Sequence, residues 1–171
     1  MGFTHTNSDT GIKDEDLKAV LEGEIPTYHE FNSSERTGDQ NKEENKPHCV
    51  IIVVSADAVQ NMQLNNDSVL TTKMKNLHSF IPSDVTRIVV LTKCDTISDL
   101  VHKSITNIYT CQTIYSVVQK ATKIFGTQES MVFPIVNYFK EWRLDREKNV
   151  PILYALMFAL NFAADRQELR P

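Results

Sequence analysis

Three stretches of the chain are apolar in the manner of buried strands. Cys49-Val50-Ile51-Ile52-Val53-Val54 is continuously apolar and mostly β-branched, which predicts a strand covered on both faces. Ile88-Val89-Val90-Leu91 predicts a second buried strand, and Met131 to Val136 a third. Pro134 removes a ladder donor from that third strand, which places it at a sheet edge. Between and around the strands the spacing changes to that of helices. Residues 14–23 carry Asp14, Glu15 and Asp16 in a first turn, Leu17, Val20 and Leu21 on one face, and Gly23 as a stop. Asp67 to Ile81 puts Leu70, Met74, Leu77 and Ile81 on one face, with Pro82 ending it. Cys111 to Phe125 repeats the pattern with Ile114, Val117, Val118, Ala121 and Phe125, stopped by Gly126. A last, strongly apolar helix is expected from about Asn149 to Asp165. Residues 32–48 hold no hydrophobic side chain apart from Pro47 and are expected to form a disordered surface loop.

Strands alternating with helices give an α/β fold: a three-layer parallel sheet with right-handed crossovers. Ligands of such sheets bind beyond the carboxyl ends of the strands. Those ends are Ser55-Ala56-Asp57, Thr92 to Asp95, and Asn137-Tyr138.

The second end carries a chemical signature. Thr92-Lys93-Cys94-Asp95 fits Asn/Thr-Lys-x-Asp directly after a buried strand, the guanine-reading motif of GTP-binding proteins. The aspartate of that motif accepts both the ring N–H and the exocyclic amine of guanine, a two-point contact that adenine does not offer. The lysine stem lies over the base, and the Asn or Thr braces neighbouring loops. The plainer alternative is a strand exit with a solvated lysine and an N-capping aspartate. No GxxxxGKS/T loop occurs in the 171 residues, and none of the five glycines precedes a Lys-Ser or Lys-Thr pair. That loop supplies most phosphate recognition and the catalytic positioning. A base-reading carboxylate alone is worth about 4 kcal/mol, millimolar at best. GTP is therefore expected to bind weakly or not at all, no cofactor is expected, and hydrolysis is not expected.

Composition narrows the remaining classes. With 41% hydrophobic and 23% charged residues, the chain is neither disordered throughout nor collagen-like. Its formal net charge of −4 lacks the basic excess of a nucleic-acid binder. Cys49, Cys94 and Cys111 are odd in number and form no CxxC pair, which argues for a reducing compartment without a disulfide framework. The five histidines show no ligand spacing, so no metal site is expected. Residues 1–16 contain no apolar run of the signal-peptide kind. Met1-Gly2-Phe3-Thr4-His5-Thr6 fits a loose myristoylation template, with bulky Phe3 poorly suited to it. Val150 to Ala164 has Asn161 as its one strongly polar residue and is shorter than the about 20 residues of a membrane span. An all-round apolar helix is usually buried, the alternative being that Phe158 or Phe162 faces a second protein surface.

A resemblance to a known family rests on a series of short motifs. They are Met1-Gly2, Asp14-Glu15-Asp16-Leu17, Leu21-Glu22-Gly23, Tyr28-His29-Glu30-Phe31-Asn32, His48-Cys49-Val50 and Thr92-Lys93-Cys94-Asp95. The tail is the most specific part: Val136-Asn137-Tyr138, Glu141-Trp142-Arg143-Leu144-Asp145, Val150, Ile152-Leu153 and Ala155-Leu156. Over nearly its whole length the chain resembles the carboxyl-terminal half of the GTPase-like domain of the interferon-induced protein 44 and 44-like family. The resemblance implies a P-loop GTPase-like sheet that is incomplete, a single partial domain over residues 1–171 with about three strands and the phosphate-loop half missing. It makes Gly2 the remnant of a switch glycine that ends a D-T-M-G motif, and places the start of this chain inside that motif. Thr92, Lys93 and Asp95 would be the base-reading residues, and Asn137 and Tyr138 would stand where GTPases put a second base-contacting loop, without its usual Ser-Ala signature. Catalytic residues are not implied. The family is associated with cytoplasmic antiviral and antiproliferative responses and with self-assembly.

In a complete sheet of this class the strand at 49–54 adjoins the phosphate-loop strand. Here it is expected to be an open edge and, with the carboxyl-terminal helix, the surface for a protein partner or self-association. Two other readings remain. One is a GTP-binding protein completed by another chain or by upstream sequence. The other is a phosphoaccepting receiver-type domain using Asp57, which lacks the acidic pair that would hold magnesium.

Overall fold

The structure, a computed structural model, describes residues 14–25, 42–62 and 79–168. The sequence pattern becomes three parallel strands, β1 (Cys49–Ser55), β2 (Thr86–Thr92) and β3 (Val132–Pro134), in the order β1-β2-β3. The register aligns Ile52 with Val89 and Val132, and Val53 with Val90 and Phe133. Because side chains alternate along a strand, these two rows belong to opposite faces of the sheet.

One face carries Ile52, Val54, Val89, Leu91 and Val132. It is covered by α3 (Ala56–Asn61) and α5 (Gln112–Phe125), the latter burying Ile114, Val117, Val118, Ala121, Ile124 and Phe125. Leu21, at the end of α1 (Asp14–Leu21), joins the same core. The other face carries Ile88, Val90 and Phe133 and packs against Ala155 and Ala159 of α6 (Arg146–Glu168). Alanines let the helix backbone lie close to the sheet. Phe158 then completes the contact, its ring centroid 5.1 Å from that of Phe133. The result is the expected three-layer α/β arrangement, with β2 at its centre: Ile88, Val89 and Leu91 are fully buried.

The helix stops act as the sequence indicates. Gly23 and Gly126 both take positive φ, 75° and 55°, the left-handed geometry that ends α1 and α5. After α1, Gly23 and Glu24 donate back to Val20 and Ala19, satisfying two terminal carbonyls. Pro134 does lie in an edge strand: among the described residues β3 pairs only with β2. The ladder continues one residue further through the Ile135 amide to the Leu91 carbonyl, 2.8 Å.

Several expectations need correction. β1 is not covered on both faces, for Ile51 and Val53 are 43% and 65% exposed while Ile52 and Val54 are buried. β1 is itself an edge strand, with no second neighbour among the described residues; the helix on that face reaches β1 near Cys49, but its buried alanines cluster with Ile88, Val90, Phe133 and Ile135, leaving Ile51 and Val53 open. The terminal helix turns Phe158 and Phe162 into an aromatic series with Phe133 and Tyr154 rather than outward. Its outward residues are Val150, Leu153, Leu156, Met157 and Leu160. It also begins at Arg146, earlier than hydropathy indicates, because Asp145 caps it: the Asp145 carboxylate accepts the Glu147 amide at 2.8 Å. The segment after β2, which shows no regular period, folds into α4 (Asp99–Lys103) between two short 3₁₀ turns, Cys94–Thr96 and Ile105–Tyr109. Of the helix expected at 67–81, residues 67–78 lie outside the described residues; Ser79 and Phe80 are helical and Ile81 is buried. Of the loop at 32–48, residues 32–41 lie outside them, and Lys42–Asn45 form a single helical turn, α2.

Candidate functional site

Parallel strands bring all three carboxyl ends to one side of the sheet, so the motif after β2 lies between Ser55 and the residues after β3. Thr92 closes β2 opposite Ser55, and its hydroxyl donates to the Val54 carbonyl at 3.4 Å, tying the motif to β1. Lys93 then turns the chain with φ 56° and ψ 36°, a left-handed conformation that costs a residue with a Cβ about 1 kcal/mol or more. Three hydrogen bonds hold it there. The Lys93 amide donates to Asn137 Oδ1 at 3.3 Å, and its carbonyl accepts from the amide and hydroxyl of Thr96 at 3.1 and 2.8 Å. Strain of this kind gathers where a loop is held for a task.

Cys94 anchors the turn from below. Its amide donates to the Ile135 carbonyl at 3.3 Å, its thiol points to the Leu91 carbonyl at the same distance, and burial pushes the thiol up to about 12. It is an inert packing residue. Asp95 follows in the 3₁₀ turn, half-buried, and its carboxylate has no hydrogen-bond partner among the described residues. The turn thus presents one accepting carboxylate and one lysine, on a backbone fixed from both neighbouring strands.

The structure brings Thr92, Lys93, Asp95 and Asn137 together around this turn, with Asn137 bonded to the motif itself. Tyr138 is adjacent but its hydroxyl is committed elsewhere. It accepts the Asp145 amide at 2.6 Å and lies 2.8 Å from Asn149 Oδ1 and 3.0 Å from the Asp145 carbonyl, pinning the start of α6. Gly2 lies outside the described residues. Asp57, the residue of the receiver-type reading, sits in the first turn of α3 with Oδ1 buried and unpartnered. No group of three or more metal-binding side chains occurs among the described residues.

Sequence reasoning missed the stitching around the motif: Thr96, the Ile135 carbonyl, and the Tyr138–Asp145–Asn149 cluster. Of these, Asp145 alone had a signal that could have found it, as a capping residue ahead of a helical run. A cleft of about 680 Å³ opens at the opposite, amino end of the strands, lined by Pro47, Thr86, Phe162 and Arg166, and is unconnected with the motif. No described helix is long and apolar enough to cross a membrane.

Neither a family model nor a solved structure matches the chain. Curated relatives do. It is 25% identical to interferon-induced protein 44-like of Homo sapiens over 169 residues, 94% of this chain and 36% of that protein. It is 26% identical to interferon-induced protein 44 of Homo sapiens over 163 residues, and 24% identical to that of Mus musculus over 154 residues. The chain spans about a third of the length of these relatives (36% in each case) and is itself covered to between 85% and 94%. Shared identity along so much of the chain bears out the resemblance that the motifs carry: the chain is a homologue of the interferon-induced protein 44 and 44-like family.

Proposed function

We propose that the chain is a GTPase-like interaction protein of the interferon response. In this reading it keeps the guanine-reading corner of a P-loop-type sheet and works in the cytoplasm through protein contacts. One observation carries the nucleotide half of the reading. The Thr92–Asp95 turn is held by Asn137 across the carboxyl ends of β2 and β3, leaving the Asp95 carboxylate unpartnered among the described residues. A carboxylate so placed selects guanine over adenine by accepting two N–H groups. The names of the relatives support the interferon-response half. The open edge of β1 and the outward apolar face of α6 support contact with proteins.

Titration of the chain with guanosine and adenosine monophosphates, followed by amide NMR, tests the site. Millimolar, guanine-selective shifts at residues 92–96 are expected, abolished by Asp95→Ala. Equal response to adenosine monophosphate refutes a guanine reader.

The free edge of β1 also favours a second reading, in which a further strand from another chain or from additional sequence completes a GTP site. Micromolar, magnesium-dependent GTP binding by this chain alone would replace both readings with that of a self-sufficient GTP-binding protein.

A further inference from the structure

The link between β3 and α6 carries the most exposed large apolar side chains among the described residues. Phe139, Trp142 and Leu144 are 85%, 84% and 86% exposed. The link is nevertheless well held. Its first turn closes on Glu141, whose carboxylate accepts the amides of Phe139 at 2.7 Å and Lys140 at 3.0 Å and is bonded by the Lys148 ammonium. Lys148 and these amides pull that carboxyl down from 4.5 to about 2, so it stays charged and engaged. Its far end is fixed by the Tyr138 hydroxyl and the Asp145 cap. A collapsed hydrophobic loop would bury its aromatic residues; this one holds them outward.

Two cations alternate with the apolar side chains. Lys140 Nζ lies 5.1 Å from the centre of the Phe139 ring, and Arg143 Cζ lies 4.3 Å from that of Trp142. Neither has an acidic partner among the described residues, since Glu141 is taken by Lys148 and Asp145 caps the helix. Arg146 and Glu147, both exposed at the start of α6, offset one another. The tip is therefore basic on a chain whose formal net charge is −4.

We infer that the Phe139–Leu144 loop docks the protein on an anionic lipid surface. Phe139, Trp142 and Leu144 enter the interfacial layer, and Lys140 and Arg143 lie at the level of the lipid phosphates. The complementarity is that of membrane-interface belts, where aromatic rings and basic side chains share one depth. A cation stacked on a ring arrives at that depth with it. The three apolar side chains project from one short loop instead of lining a helix or sheet face. Penetration between headgroups therefore suits them better than packing into a protein groove. Each cation near such a surface is worth about fivefold in affinity, and salt screens the effect.

Trp142 is the one tryptophan of the chain and so reports on the loop directly. The chain is titrated with phosphatidylcholine vesicles, with and without phosphatidylserine. Emission should shift to the blue with the anionic vesicles, be quenched by brominated acyl chains, and return toward its free position in high salt. Lys140→Gln with Arg143→Gln should weaken vesicle affinity about 25-fold, and Phe139→Ser with Leu144→Ser should abolish co-sedimentation. These side chains are exposed, so circular dichroism should be unchanged in both variants. Unaltered emission with anionic vesicles overturns the inference. So does an equal response to phosphatidylcholine alone, or a blue shift produced by a protein ligand but by neither vesicle.

Discussion

Lys93 occupies a backbone conformation that does not favour it. Its φ of 56° suits glycine, yet a lysine stands there, held by Asn137 and Thr96. Lys93→Gly should therefore raise stability by about 0.5–1 kcal/mol, seen as a higher melting temperature, because the left-handed penalty disappears. If the turn reads guanine as proposed, the same variant should also lose guanosine binding, because the stem proposed to cover the base is gone. A lysine present only as a solvated strand exit would show the first effect without the second. The motif residues were legible in the sequence because their spacing follows one strand. Asn137 was legible only as the end of another strand, and its bond to the Lys93 amide comes from register. Tyr138 illustrates the limit. Its position was evident, but its hydroxyl bonds to Asp145 and Asn149 depend on how the loop folds back, which no periodicity records.

Among the elements, β2 and α5 follow their patterns closely because one environment governs all their positions: β2 is central, and α5 has one buried face. β1 departs from its pattern. Six consecutive apolar residues read as doubly buried, yet alternate members are exposed, since an edge strand is covered only as far as its neighbours reach. Hydropathy records what a position tolerates and cannot show whether a neighbour is present. Substitution separates the two faces sharply. Val53→Lys places a charge on the exposed side and should change stability by no more than about 0.5 kcal/mol. Val54→Lys, one residue on, puts that charge in the core beneath α3 and α5 and should cost several kcal/mol or prevent folding. Chemical denaturation of the two variants checks this. If Val53→Lys is as damaging as Val54→Lys, β1 is buried on both faces in solution, and a partner covers its outer side. The lysine would also blunt the edge, as natural edge strands do.

At the scale of the molecule, two apolar surfaces stand open besides the Phe139–Leu144 loop, on one edge of the sheet and along α6. The helix is fastened at both ends. Asp145 caps its start, and near its end Arg166 Nη2 meets the Asp84 carboxylate at 2.6 Å, just ahead of β2. Between them, Ala155 and Ala159 bind it to the sheet. Its outward face, with Leu153 and Leu160 each 59% exposed and Met157 51%, is more apolar than a monomer ordinarily shows to water. If the face is an interaction surface, it should cover itself when nothing else does, so the chain should self-associate with rising concentration in sedimentation velocity. Leu153→Glu with Leu160→Glu removes about 1 kcal/mol of burial at each position and should weaken association by roughly 30-fold or more. Neither side chain touches the sheet core, so secondary structure and melting should be retained. A wild-type chain that stays monomeric at high concentration would show that this face tolerates water, and the protein contacts proposed here would then have to be made through β1 alone.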